Sequence, residues 1–300
     1  MAFNFQTFKT RALTALLFVA VMLVGLLWNF WSFVVLFTVI HFGCWFEYLR
    51  LIEKIYPTKI DIVIKWMLAI CGFALMVVLG FRYTSYDAGI TIGGYNLSLK
   101  WLFWVFLLIC LLVFLFQNKQ IPVKAKWLSF FGLLYISLSF AFFLNLRDSY
   151  FLENTGGSLV EMGIVTTCGI ICSIWVNDTM AYLVGSFIGK TPLSKISPKK
   201  TVEGTLGGIV LCVLVIGFIY PILVETITGV KVGSIQWFII PALCAIFGTI
   251  GDLFESKLKR MADVKDSGSF MPGHGGFLDR FDSLLFAVPA VWIYVYFFLS

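Results

Sequence analysis

Apolar residues in this chain come in runs about as long as a bilayer is thick, separated by short polar intervals, and that repeat predicts its elements. A membrane-spanning helix needs roughly twenty apolar residues. By that template the runs fall near 12–28, 30–49, 62–81, 99–117, 127–146, 160–186, 205–228, 235–254 and 283–299. The pattern predicts an all-α, polytopic membrane bundle of nine helices. Only the short turn Trp28-Asn29-Phe30-Trp31-Ser32 divides the first two. Lys9 and Arg11 precede the first run as in a signal peptide. No small-residue cleavage site follows, so the segment reads as a retained helix. The interval 82–98, with Ser85, Gly89, Gly93, Gly94 and Asn96, reads as an exterior turn or short hairpin.

The basic residues orient this bundle. Nine spans put alternate loops on opposite sides of the bilayer, and cytoplasmic loops carry the excess of Lys and Arg. With the N-terminus inside and the C-terminus outside, the outward loops and their flanks hold only Arg82, Lys100, Arg147 and Lys231. The remaining Lys and Arg fall on the cytoplasmic side, at Lys9 and Arg11 and in the clusters around 50–65, 119–126, 190–200 and 257–280. Residues 1–150 read as an N-terminal transmembrane region of about five spans. Residues 151–300 read as a C-terminal transmembrane region with cytoplasmic loops 187–204 and 255–282.

Composition agrees with the pattern. The chain is 60% hydrophobic and 13% charged, against roughly 25% charged in a soluble domain. Its net charge of +6 suits loops that face anionic lipid, and nucleic-acid binding is not expected. Seven cysteines sit singly in apolar runs without a CxxC or a nearby His. Cys168 and Cys172 share a helix face but lack further ligands, so they too read as packing residues.

Three polar constellations exceed what membrane packing requires. The first is Trp175-Val176-Asn177-Asp178-Thr179-Met180-Ala181-Tyr182 inside the sixth span, where an ionisable side chain costs about 2.5–3.5 kcal/mol at the bilayer centre. Ser173, Asn177 and Asp178 lie broadly on one side of that helix, as a polar pocket wall or as a helix-to-helix hydrogen-bonding pair. The second is the loop Gly185 to Lys190 and Lys195-Ile196-Ser197-Pro198-Lys199-Lys200-Thr201-Val202-Glu203-Gly204, whose hydroxyls, ammonium groups and backbone N–H groups suit phosphate. Gly189-Lys190-Thr191 lacks the preceding glycine of a Walker loop, which argues against an ATPase.

The third spans 252–283 and carries four Asp that could hold metal (Asp252, Asp266, Asp279, Asp282), five Lys or Arg and His274 beside glycines. Carboxylates hold hard cations such as magnesium, which bridge phosphates, while Lys and Arg cancel the remaining negative charge. A solvated, charge-rich cytoplasmic loop is the plainer reading of the same residues.

These residues resemble the phosphatidate cytidylyltransferases, or CDP-diacylglycerol synthases. The C-terminal signature of that family is matched by Ser256, Leu258, Lys259-Arg260, Lys265-Asp266, Gly268, Pro272, His274-Gly275-Gly276, Phe277, Asp279-Arg280, Phe281 and Asp282. Upstream, Asn177-Asp178, Ala181-Tyr182 and Ile196 to Gly204 also look like the family. Met271 stands where Leu, Ile or Phe is preferred, and Ser186 where many members carry a basic residue. The motifs cover about 160–300, and the earlier spans match by hydropathy only.

The resemblance implies transfer of the cytidylyl group of CTP to phosphatidic acid, giving CDP-diacylglycerol and pyrophosphate. It implies Asp252 and Asp266 as the main magnesium ligands, with Asp279 and Asp282 as further candidates. Two divalent ions, or magnesium with a monovalent cation, are expected. Lys259, Arg260, Lys265 and Arg280 are placed to clamp triphosphate or lipid phosphate. His274 is read as a phosphate donor or as the acid that protonates leaving pyrophosphate. Ser197, Lys199, Lys200 and Thr201 are assigned to nucleotide, Asp178 to the cavity for the lipid head group, and Ser256, Gly275 and Gly276 to substrate binding.

Since CTP comes from the cytoplasm and phosphatidate stays in the membrane, the site is expected in a cleft near the inner interface. A bacterial cytoplasmic (inner) membrane and a homodimer are expected. Two other classes remain in view: CTP-dependent transfer to another lipid phosphate or polyprenol, and secondary transport. A transporter would show paired features in its two halves, whereas this chain concentrates its charge in the second.

Overall fold

A computed structural model describes residues 5–81, 89–92, 95–117, 121–149, 151–152, 159–160, 162–229, 235–270 and 275–299. Among them the chain forms nine helical rods: α1 (Phe5–Leu27), α2 (Phe30–Ile55), α3 (Ile62–Gly80), α4 (Leu99–Gln117), α5 (Val123–Arg147), α6 (Met162–Ile188), α7 (Val202–Thr228), α8 (Gln236–Met261) and α9 (Leu278–Phe298). Seven of them, α2, α3 and α5 to α9, are long and apolar enough to cross a membrane. In α1 and α4 the apolar stretches Leu13–Leu27 and Trp104–Phe114 are shorter. The hairpin expected between α3 and α4 is present as β1 (Gly89–Ile92) paired antiparallel with β2 (Tyr95–Ser98). A two-residue antiparallel pair, β3 (Phe151–Leu152) with β4 (Leu159–Val160), lies between α5 and α6.

Local chemistry sets the ends of the rods. Asn29 is the N-cap of α2 and accepts from Ser32 N at 2.8 Å, which makes the division between α1 and α2 a capped helix start. Asp61 caps α3 in the same way. The interval 255–282, read from sequence as one cytoplasmic loop, is partly helical. Helix α8 continues through Glu255 and Lys259 to Met261, and α9 already begins at Leu278. A charged segment can stay helical when its charges pair along the helix, as Glu255 and Lys259 do at 2.5 Å.

Helices α6, α7 and α8 pack on one another, and α9 lies along α8 and reaches α5 and α2. The core between α2, α5 and α9 is aromatic, with Phe33, Phe37, Phe140, Phe143 and Phe281 in edge or tilted contact. Helix α5 contains a π-helical turn, Leu133–Leu138. There Ser137 Oγ meets His41 Nε2 at 2.9 Å and accepts from Trp45 Nε1 at 2.9 Å, so these three buried side chains are joined by hydrogen bonds. The outer faces of the rods stay apolar, with Leu16, Val35, Phe218, Ile222 and Phe297 exposed. Those faces fit lipid as their solvent.

Candidate active site

The polar residues of the C-terminal half surround a cavity of about 540 Å³. Helix α6 contributes Asn177, Asp178, Ala181, Tyr182 and Gly185; α7 contributes Thr205; α8 contributes Thr249 and Asp252; and α9 contributes Asp279, Asp282 and Ser283. The loop between α6 and α7 closes the wall with Ser197, Lys199, Lys200 and Thr201. Of the two readings of the polar turn in α6, the pocket wall holds for Asn177 and Asp178. Ser173 instead is buried and donates back to Gly169 O at 2.6 Å.

The loop is pinned before any ligand arrives. Leu193 N donates to Lys200 O at 2.8 Å and Val202 N to Thr191 O at 2.9 Å, folding residues 191–202 back on themselves. Thr201 is the N-cap of α7 and accepts from Gly204 N at 3.1 Å. The backbone N–H groups of Lys190 and Thr191 point to the Glu203 carboxylate, Lys190 N at 3.1 Å from Oε2. These two donors already hold an internal anion. What the loop offers the cavity is its side chains, and Lys200 is ion-paired with Asp252 across it. Arg260 Nε, at 3.4 Å from Ile196 O, ties the loop to the end of α8.

Asp279 is the most heavily bonded residue of the wall. Its Oδ1 accepts from Lys259 Nζ at 2.7 Å, while Oδ2 accepts from Gly276 N at 2.8 Å and Ser267 N at 2.9 Å. Gly275 has a left-handed backbone, φ 85°, which brings the chain round so that Gly276 can donate. Lys259 lies between Asp279 and Glu255 and stands behind the wall. Asp282, one turn into α9, is 8% exposed and lines the cavity.

Several expected site residues lie elsewhere. Asp266 and Lys265 are exposed in the segment after α8, and Asp266 does not line the cavity. Ser256 is half-buried on α8 and is not in the wall either. Arg280 is exposed on the first turn of α9, near enough to act electrostatically on Asp178. His274 and Pro272 lie outside the described residues.

Comparison with known proteins decides what kind of wall this is. A family model described as the cytidylyltransferase family matches residues 9–298. The chain belongs to that family. It is 33% identical over 300 residues to the phosphatidate cytidylyltransferase of Bacillus subtilis (strain 168), covering 98% of this chain and 97% of that protein. To the phosphatidate cytidylyltransferase of Thermotoga maritima it is 39% identical over 164 residues, 54% of this chain and 56% of the relative. To that of a Synechocystis strain it is 45% identical over 138 residues, 44% of each.

The magnesium that the cytidylyltransferase resemblance implies can be tested against the wall. Among the described residues no three His, Cys, Asp or Glu side chains converge as a ready-made metal cage. Magnesium does not need one, since it binds through one or two carboxylates and completes its shell with water and substrate phosphate. Asp252 Oδ2 is buried and its charge partner is the Lys200 ammonium, a positive charge standing where a cation would be drawn. With Asp178, Asp279 and Asp282 on the same wall, the donor set fits.

One contributor comes from the N-terminal half, in which the polar pattern marks no site residue. Glu47 on α2 accepts from Ser267 Oγ at 2.8 Å, Phe277 N at 3.0 Å and Leu278 N at 2.9 Å. Its signal in the sequence was a single carboxylate within an apolar span, which by itself marks a functional candidate.

Proposed function

We propose that this chain transfers the cytidylyl group of CTP to phosphatidic acid, giving CDP-diacylglycerol and pyrophosphate. The observation that carries the reading is one cavity, at one end of an apolar bundle, whose wall joins Asp178, Asp252, Asp279 and Asp282 to Lys199 and Lys200. Four carboxylates beside two ammonium groups suit a substrate that is itself a polyanion with cations.

A phosphate oxygen of phosphatidate attacks the α-phosphorus of CTP. The bond from that phosphorus to the oxygen bridging the α- and β-phosphates breaks, and pyrophosphate leaves with the electron pair. The attacking phosphomonoester is largely ionised near neutral pH, its second pKa being about 6. No protein nucleophile is needed. What opposes the reaction is repulsion between two anions, so the protein acts by positioning and by neutralising charge. Ser197, Lys199 and Lys200 bind the triphosphate from the loop side, and Asp178 with Asn177 faces the head group of the lipid. Lys259 holds Asp279 in place, and Arg280 adds positive charge at the rim. One or two of Asp252, Asp279 and Asp282 would hold magnesium, which would screen the phosphates and polarise the phosphorus.

Positive-inside asymmetry supports a cavity at the cytoplasmic face, where CTP is present. The relatives named above are bacterial, and a bacterial inner membrane is the matching location. A homodimer would form through the apolar outer faces of the helices.

The test is conversion of labelled CTP by purified protein in detergent with phosphatidate and magnesium, comparing wild type with Asp252→Asn and Asp266→Asn. Wild type forms CDP-lipid. Asp252→Asn loses about 100-fold or more, while Asp266→Asn, outside the cavity wall, keeps most activity. Wild type that leaves CTP intact with phosphatidate, or that prefers a polyprenyl phosphate, overturns the reading.

A further inference from the structure

We propose that Glu47 is a positioning residue for cytidylyl transfer, an inference that rests on the function proposed above. From α2 it caps the N-terminus of α9 and thereby fixes the two carboxylates, Asp279 and Asp282, that α9 presents to the cavity.

The first N–H groups of a helix have no partner within it. In α9 the N-cap residue is Phe277, whose side chain can accept nothing. Glu47 takes that part from across the fold: Oε1 accepts from Phe277 N at 3.0 Å and Oε2 from Leu278 N at 2.9 Å. A carboxylate is the favoured group at the positive end of a helix. The backbone is shaped around it, since a Cβ on Gly268 or on Gly276 would run into the Glu47 carboxylate.

The Ser267 hydroxyl carries the link onward. Its Oγ lies 2.8 Å from Glu47 Oε2 and 2.9 Å from Asp279 Oδ2, and one hydroxyl hydrogen serves one of the two at a time. Glu47 and Asp279 are therefore joined through a shared donor as well as through the first turn of α9. Glu47 is 7% exposed and does not line the cavity, so whatever it contributes to chemistry passes through α9. Asp279 and Asp282 sit within one turn of the capped end, and a shift of that turn moves both.

The experiment compares Glu47→Gln, Glu47→Asp and Tyr48→Phe in the full chain, measuring turnover of CTP and phosphatidate beside melting temperature in detergent. The amide keeps one acceptor and turns an NH2 group toward donors. The aspartate keeps both oxygens on a shorter arm. Tyr48 is the control: its hydroxyl donates to Leu128 O at 2.7 Å, a part-buried bond from the same helix to α5 rather than to the N-terminus of α9. Expected is a fall in kcat of about 10- to 100-fold for Glu47→Gln, with KM for CTP nearly unchanged and partial recovery in Glu47→Asp. Tyr48→Phe loses thermal stability and keeps kcat.

Wild-type kcat in Glu47→Gln overturns the inference. So does a loss of kcat that simply follows the melting temperature through all three variants. If Glu47→Gln does not fold, Ser267→Ala decides, because it cuts the shared hydroxyl and leaves both backbone caps. A lowered kcat supports the link, and an unchanged one refutes it. Wild type that makes no CDP-lipid refutes the parent reading instead, before any variant is compared.

Discussion

At the scale of single residues, Asp279 holds the signature together as well as facing the cavity. Four donors converge on it, from Lys259, Gly276 and both the backbone and the hydroxyl of Ser267. Asp279→Asn keeps the shape but sets an NH2 group against donors on one side. The expected result is a stability loss of about 1–3 kcal/mol, read as a lower melting temperature in detergent, together with reduced CDP-lipid formation. A variant that loses activity at an unchanged melting temperature would assign Asp279 to substrate or cation alone. The sequence exposed Asp279 because it stands in a dense polar stretch. It hid Glu47 and Ser267 because their contact joins positions 220 residues apart, and no local pattern encodes which distant loop a lone carboxylate meets. It misplaced Asp266 for a related reason: spacing along the chain says how close a residue is in sequence, not which way its backbone turns it.

Between elements, the cavity depends on how closely α6 and α7 approach. Gly204 and Gly208 of α7 meet Ala181 and Gly185 of α6. A Cβ on Gly208 would lie 2.9 Å from the backbone N of Ala181, where nothing flexible can give way. This is the small-residue packing by which membrane helices come together without a hydrophobic driving force. Gly208→Val should push the two helices apart at the level of Ala181, one turn from Asp178, and cost about 1–3 kcal/mol. Its measurement is the melting temperature, with CTP turnover falling as the wall opens. Thr201→Ala tests the start of the same helix, because the hydroxyl caps Gly204 N. A loss of about 1 kcal/mol is expected, with weaker CTP binding as the loop bearing Lys199 and Lys200 loosens. Hydropathy revealed these rods because lipid contact imposes a length and a polarity on each. Their ends were harder to read, since Glu255, Lys259 and Asp279 remain polar while helical, neutralised by one another.

For the whole molecule, the decisive property is which side of the membrane the cavity faces. A single helix measures it. The loop carrying Lys195 to Lys200 enters α7 at Val202, and Thr228 ends that helix. At 1.5 Å per residue, its 27 residues span about 40 Å, a full bilayer with its head groups. Lys195 and Thr228 must therefore lie on opposite sides of the membrane. Cysteines introduced singly as Lys195→Cys and Thr228→Cys can be probed in cells with a membrane-impermeant maleimide, and the seven native cysteines, none of them exposed, give little background. If the cavity faces the cytoplasm, Thr228→Cys reacts in intact cells whose outer barrier is permeable, whereas Lys195→Cys reacts only after lysis. The reverse pattern would turn the positive-inside assignment over and put Lys199, Lys200 and the aspartate wall where CTP is absent. Cytidylyl transfer could not then be the activity of this cavity in the cell, whatever the purified protein does in detergent. The labelling result thus bears on function as directly as a turnover measurement, because in a membrane enzyme the location of the site decides which substrates can reach it.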